Sequence, residues 1–114
     1  MIIYHNPRCS KSRQTLALLE ENNVTPQVVE YLKTPLTAVE LKELVNKLNV
    51  SVRDIIRHKE SEFKDNGLDN QELSEEQIYE ILAQVPKLVE RPIVVSGEKA
   101  VIGRPPENVL SLLN

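Results

Sequence analysis

Cys9 stands in the stretch His5-Asn6-Pro7-Arg8-Cys9-Ser10-Lys11-Ser12-Arg13, after the apolar run Met1-Ile2-Ile3. A strand that gives way to a helix here would put a sulfur at a helix N-terminus, among backbone N–H groups without intrahelical partners and at the positive end of the helix dipole. Both effects favour thiolate over thiol. Arg8, Lys11 and Arg13 add positive charge around it. A cysteine in an ordinary apolar stretch is usually a packing residue. A histidine, an asparagine and three cations around a single thiol point instead to a nucleophile.

Cys9 is the only cysteine of the 114 residues, so no intramolecular disulfide can form. A lone thiol kept as a reagent suits a reducing compartment, and a cytoplasmic location is expected. The length fits a single domain spanning residues 1–114, large enough to bury roughly two-thirds of its unfolded surface. Neither a secretory leader nor a run of ~20 apolar residues is legible, so no membrane association is expected. A net charge of −3 argues against general nucleic-acid binding, which needs cations clustered over a whole face. A local anion site remains compatible with six arginines: Arg8, Arg13, Arg53, Arg57, Arg91 and Arg104.

The elements that must position Cys9 are readable on either side of it. Met1 to Tyr4 reads as a buried strand, and a helix follows from about Ser10 to Asn22, with Leu16 and Leu19 on one face. Val28-Val29-Glu30-Tyr31 reads as a second strand, parallel to the first through a right-handed crossover. The middle of the chain carries three helix-start signals: Thr37-x-x-Glu40, Ser51-x-x-Asp54 and Ser74-x-x-Gln77. Leu41, Leu44, Val45 and Leu48 follow the first at helical spacing, Ile55 and Ile56 the second, and Ile78, Ile81, Leu82 and Val85 the third. Ile93-Val94-Val95 and Ala100-Val101-Ile102 flank a Gly-containing turn and read as a hairpin. Pro105-Pro106 then opens a terminal helix. The order β-α-β, helical insert, β-β-α is that of an α/β thioredoxin-like (glutaredoxin-like) fold with a helical insertion between the second and third strands.

In a hairpin the start of one strand lies beside the end of the next, so Arg91 and Arg104 should be neighbours. If the third strand runs antiparallel to the first, both arginines also approach the end where Cys9 waits. A cationic pocket beside a thiolate follows from that topology. The isomer of the Arg91–Pro92 bond is left open by the sequence.

The nine-residue stretch around Cys9, Ser51-Val52-Arg53-Asp54-Ile55-Ile56-Arg57, Glu90-Arg91-Pro92-Ile93-Val94-Val95 and Gly103-Arg104-Pro105 together resemble the glutaredoxin-coupled arsenate reductase family, in order and over essentially the whole chain. The resemblance implies an enzyme of arsenic detoxification in which Cys9 attacks arsenate. It also implies that Arg57, Arg91 and Arg104 bind the anion, and that His5 is the histidine near the thiolate. Glutathione would serve as co-substrate and glutaredoxin as protein partner, with no bound cofactor and no metal. Asn6 and Ser12 are expected in support, or as simple turn and capping groups. Arg57 has the plainer alternative of a surface pair with Glu60 or Glu62, and His58 of a solvated helix residue. The chain departs from the family's frequent Gly-Thr after the nucleophile, having Ser10-Lys11, which leaves room for another oxyanion as substrate. A redox-responsive regulator that binds RNA polymerase is the alternative from another class. Such regulators usually switch through Cys-x-x-Cys, and the second position here is Ser12.

Overall fold

Ile2, Ile3 and Tyr4 form strand β1 (Ile2–Tyr4), which takes its place inside a four-stranded sheet of order β2-β1-β3-β4. The structure, a computed structural model, describes residues 1–113. Strand β2 (Gln27–Val29) pairs parallel to β1, with Tyr4 opposite Val29. Strand β3 (Ile93–Ser96) pairs antiparallel on the other side, with Tyr4 opposite Ile93. β4 (Lys99–Ile102) closes the hairpin, with Ser96 opposite Lys99. Gly97 takes a φ of 61° in the two-residue loop, a conformation that costs glycine little.

Helix α1 (Ser10–Glu21) is the crossover from β1 to β2. Asn23 ends it at a φ of 64°, the left-handed stop that asparagine tolerates. The strand expected over residues 28–31 is shorter and starts one residue earlier. Its end has a local cause: the Glu30 carbonyl accepts the N–H groups of Lys33 and Thr34, turning the chain. Tyr31 therefore lies beyond the strand, and it is buried.

The chain divides into two compact units. The first comprises Met1–Thr34 and the chain from Arg91 onward, and the second Pro35–Glu90. In the first unit Ile3, Leu19, Val94 and Val109 are fully buried, with Leu16, Val24 and Leu112 packed against them. Burial of this kind stabilises by about 1.5–3 kcal/mol per large aliphatic side chain. The terminal helix over Pro106–Leu112 is a 3₁₀ helix. At three residues per turn, Pro106, Val109 and Leu112 fall on one face, which suits their spacing better than 3.6 would.

The second unit is helical. α2 (Ala38–Leu48) buries Leu41, Leu44 and Val45, and α4 (Glu75–Gln84) buries Ile78, Tyr79 and Leu82. All three start signals form reciprocal capping boxes. That of Ser51 and Asp54 starts only a 3₁₀ turn, Val52–Ile55. Ile56 leaves it in extended conformation to bridge Val89. The short helix α3 (Ser61–Asp65) was not anticipated, five residues being too few to show a period. Among the described residues no helix is long and apolar enough to cross a membrane. The α/β thioredoxin-like fold with a helical insertion is thus present.

Candidate functional site

The site begins where β1 ends. His5 extends the ladder by one bond, its N–H donating to the Val29 carbonyl at 2.8 Å. The chain then turns sharply: the Cys9 N–H donates to the Asn6 carbonyl at 3.0 Å, and the Asn6 side-chain oxygen accepts the Arg8 N–H at 3.0 Å. Asn6 is therefore a turn residue, and a buried one.

Ser12, fully buried in the first turn of α1, ties this loop to the helix. Its hydroxyl oxygen accepts the Asn6 N–H at 3.0 Å and lies 2.6 Å from His5 Nδ1. The Ser12 hydroxyl has one proton to give and two lone pairs, so it holds the His5 ring in place in either neutral tautomer. Burial and Arg13 hold His5 below the ordinary 6.5, against the opposing charge of Glu30. A shift in this direction favours the neutral ring at pH 7. A cavity of about 280 Å³ adjoins the loop, with His5, Arg8, Glu30 and Lys33 in its lining.

Cys9 is the N-cap of α1, in extended conformation and half-buried. Its side chain makes no cap hydrogen bond. Burial pushes its pKa up, but the Ser12 N–H, the Arg91 guanidinium and the Lys11 N–H all favour the thiolate, and the balance lies below the ordinary thiol value. The side-chain charges of Arg8 and Lys11, expected from the sequence to act here, are not among these causes; Lys11 contributes through its backbone N–H.

Arg91 and Arg104 meet as the hairpin predicts: Arg104 Nη1 donates to the Arg91 carbonyl at 3.1 Å. The Arg91–Pro92 and Arg104–Pro105 peptide bonds are both cis. The Arg91 guanidinium is hydrogen-bonded to Cys9 and to the Tyr31 hydroxyl. Burial opposes its charge, yet these partners hold its proton more firmly than usual. Its Nε and Nη1 are nonetheless buried without a partner. Buried guanidinium donors left unsatisfied by protein groups are uncommon, and they suit an acceptor from outside the chain, whether water, an ion or a substrate.

Arg57 belongs to the second unit. There it pairs with Glu60 at 3.4 Å and Glu90 at 3.2 Å, the former being the surface pairing that the sequence offered as its alternative. His58 is exposed, packs its ring on Phe63 and faces the Arg53 carbonyl. It lies outside any helix. No group of three or more His, Cys, Asp or Glu among the described residues is placed to hold a metal ion. In the sequence Tyr31 is indistinguishable from the last residue of a strand, which hides its place in the site. An aromatic beside Glu30, at the strand end that carries the site, was the available signal.

The profile of the ArsC family matches residues 4–112. The chain belongs to the ArsC family. This ArsC chain is 53% identical over 112 residues to the uncharacterized protein YfgD of Escherichia coli strain K12, covering 97% of the chain and 94% of the relative. It is 46% identical over 114 residues to the arsenate reductase of Haemophilus influenzae, covering 99% and 98% respectively. The solved arsenate reductase of Vibrio cholerae superposes with a TM-score of 0.96 at 48% identity, over 97% of this ArsC chain and 95% of that one.

Proposed function

We propose that this ArsC protein reduces arsenate to arsenite through the Cys9 thiolate, with glutathione and glutaredoxin as electron donors. The observation that carries the reading is the Arg91 guanidinium, bonded to Cys9 while its Nε and Nη1 are buried without partners. A tetrahedral oxyanion brought to the thiolate would supply the missing acceptors, and guanidinium hydrogen bonds to such oxygens are strong. Arg104 adds charge beside it through the Arg91 carbonyl. Arg57 enters by family resemblance.

In the first step the thiolate displaces one arsenate oxygen, which leaves as water after protonation, and a Cys9 S–As bond forms. Glutathione adds next, its sulfur displacing a second arsenic-bound oxygen, which also leaves as water after protonation. A glutaredoxin thiol then attacks the glutathione sulfur, forming a disulfide between the two, and arsenic takes the electron pair and passes from As(V) to As(III). Hydrolysis of the remaining S–As bond releases arsenite and restores Cys9. Overall, arsenic acid and two thiols give arsenous acid, one disulfide and water. The donors must come from outside because the chain has one cysteine. His5, neutral and fixed by Ser12, is the residue available to exchange protons near the thiolate. A reducing, cytoplasmic compartment fits this chemistry.

With glutathione, glutaredoxin, glutathione reductase and NADPH supplied, NADPH oxidation should depend on arsenate and vanish in Cys9→Ser, since an alcohol stays protonated near pH 7. No arsenate-dependent oxidation by folded, reduced protein would overturn the reading.

A further inference from the structure

Tyr31 is 1% exposed, yet it bears a hydroxyl that needs a partner in the interior. Topology explains where it finds one. Tyr4 of β1 lies opposite Val29 of β2 and Ile93 of β3. Tyr31 follows Val29 by two residues and Arg91 precedes Ile93 by two, so both project beyond the same end of the sheet, the end from which the Cys9 loop departs. There the phenol hydroxyl and the Arg91 guanidinium are hydrogen-bonded, and the same guanidinium reaches the Cys9 sulfur.

The geometry points to Tyr31 as a positioning residue for oxyanion capture: it anchors the Arg91 guanidinium so that the buried, unpartnered Nε and Nη1 stay available to the ligand. This rests on the oxyanion reading of the site and names a residue for it. The chemistry of the anchor matters. A carboxylate there would fix Arg91 equally well, but it would neutralise the charge and compete with the incoming anion for the same donors. A phenol, with an ordinary pKa of ~10, accepts a hydrogen bond without bringing a charge at pH 7. Arg57, held by Glu60 and Glu90, shows the other arrangement in the same chain.

The test is the protection of Cys9 from iodoacetamide by arsenate, read on the full chain without any turnover, in wild type and in Tyr31→Phe. Phenylalanine keeps the ring and removes only the hydroxyl. The arsenate concentration for half-protection should rise about five- to tenfold, the size expected for the loss of one ordinary hydrogen bond, with the thermal midpoint recorded alongside. In an Arg91→Lys background, Tyr31→Phe should add less than twofold, because its effect passes through Arg91; an equal additional rise would mark a general structural effect and overturn the proposal. Equal half-protection in wild type and Tyr31→Phe overturns the role of Tyr31 and leaves the anion site standing. Absence of protection in wild type overturns the oxyanion reading together with it.

Discussion

Arg91, in the sheet unit, keeps Nε and Nη1 buried without partners, whereas Arg57, in the helical unit, gives its donors to Glu60 and Glu90. The two side chains are chemically identical, so the contrast lies in the groups around them. Arg91 has a thiol and a phenol for neighbours, and neither carries a full negative charge until Cys9 ionises. Arg57 has two carboxylates, one of which, Glu60, is shared with Lys87 at 3.3 Å. The first setting leaves guanidinium donors open to an anion, as the proposed function asks of Arg91, whereas in the second two carboxylates already take them.

The sharpest way to break this contrast is Arg91→Lys. The charge stays, but the planar fork is lost, so arsenate should protect Cys9 at least about tenfold less well. The pH midpoint of Cys9 alkylation should also rise, because one of the groups favouring the thiolate is misplaced. An unchanged midpoint, measured from iodoacetamide rates across pH, would separate Arg91 from the thiolate.

Gly103→Ala tests whether the strand end that holds Arg104 must sit where it does. A Cβ there would lie 2.6 Å from Thr15 Oγ1 and 2.9 Å from Pro92 Cγ. Thr15 is itself fixed on α1 by its hydroxyl, which donates to the Lys11 carbonyl at 2.8 Å. Overpacking of this kind should cost about 1–3 kcal/mol in urea unfolding, and Thr15→Ala, which removes both Thr15 atoms that the new methyl would meet, should recover part of the loss. A neutral Gly103→Ala would show that the contact yields freely.

His5 gives the pH dependence. Its folded pKa lies below 6.5 because burial disfavours the charged ring, so in the window below 6.5 the unfolded chain binds more protons than the folded one. Stability should therefore fall as pH drops from 6.5 to the lower folded value, and level off beneath it. His5→Gln should flatten that segment of a stability curve measured by denaturant midpoints, and a wild-type curve flat over the window would contradict the assignment.

The smallest effect is expected in the helical unit. Arg57 and Glu90 side chains are 20% and 23% exposed, and a partly solvated pair of this kind contributes about 1 kcal/mol or less. Glu90→Gln should move the urea midpoint by no more than that and leave the Cys9 alkylation profile where it was. A large shift in that profile would mean that the two arginines are not independent.

The parts of the molecule legible in advance are those where local chemistry and global fold agree. Thr37 with Glu40 and Ser74 with Gln77 announce helices that form as read, and the Gly97 turn between two apolar runs announces the hairpin. The meeting of Arg91 with Arg104 followed from that hairpin alone. Cys9 at the head of a helix, one loop beyond a short strand, was equally plain. What stayed hidden depended on distant partners. Tyr31 looks like one more strand residue until the Glu30 carbonyl takes two N–H groups and turns the chain. The unpartnered donors of Arg91 have no signature in the sequence at all. Ser51 and Asp54 formed their box and still produced only one 3₁₀ turn, because Ile56 is drawn into a bridge with Val89. A cap starts a helix, but tertiary pairing decides how far it runs.

Cys9, half-buried at the head of α1, is the single sulfhydryl of the chain. Every thiol-directed adduct must therefore sit at one address, and the mass of the intact polypeptide reads its chemical state without digestion or mapping. An arsenic adduct, a glutathione mixed disulfide, a sulfenic acid and the free thiol differ in mass, so quenched samples would show directly which species accumulates before each external donor arrives.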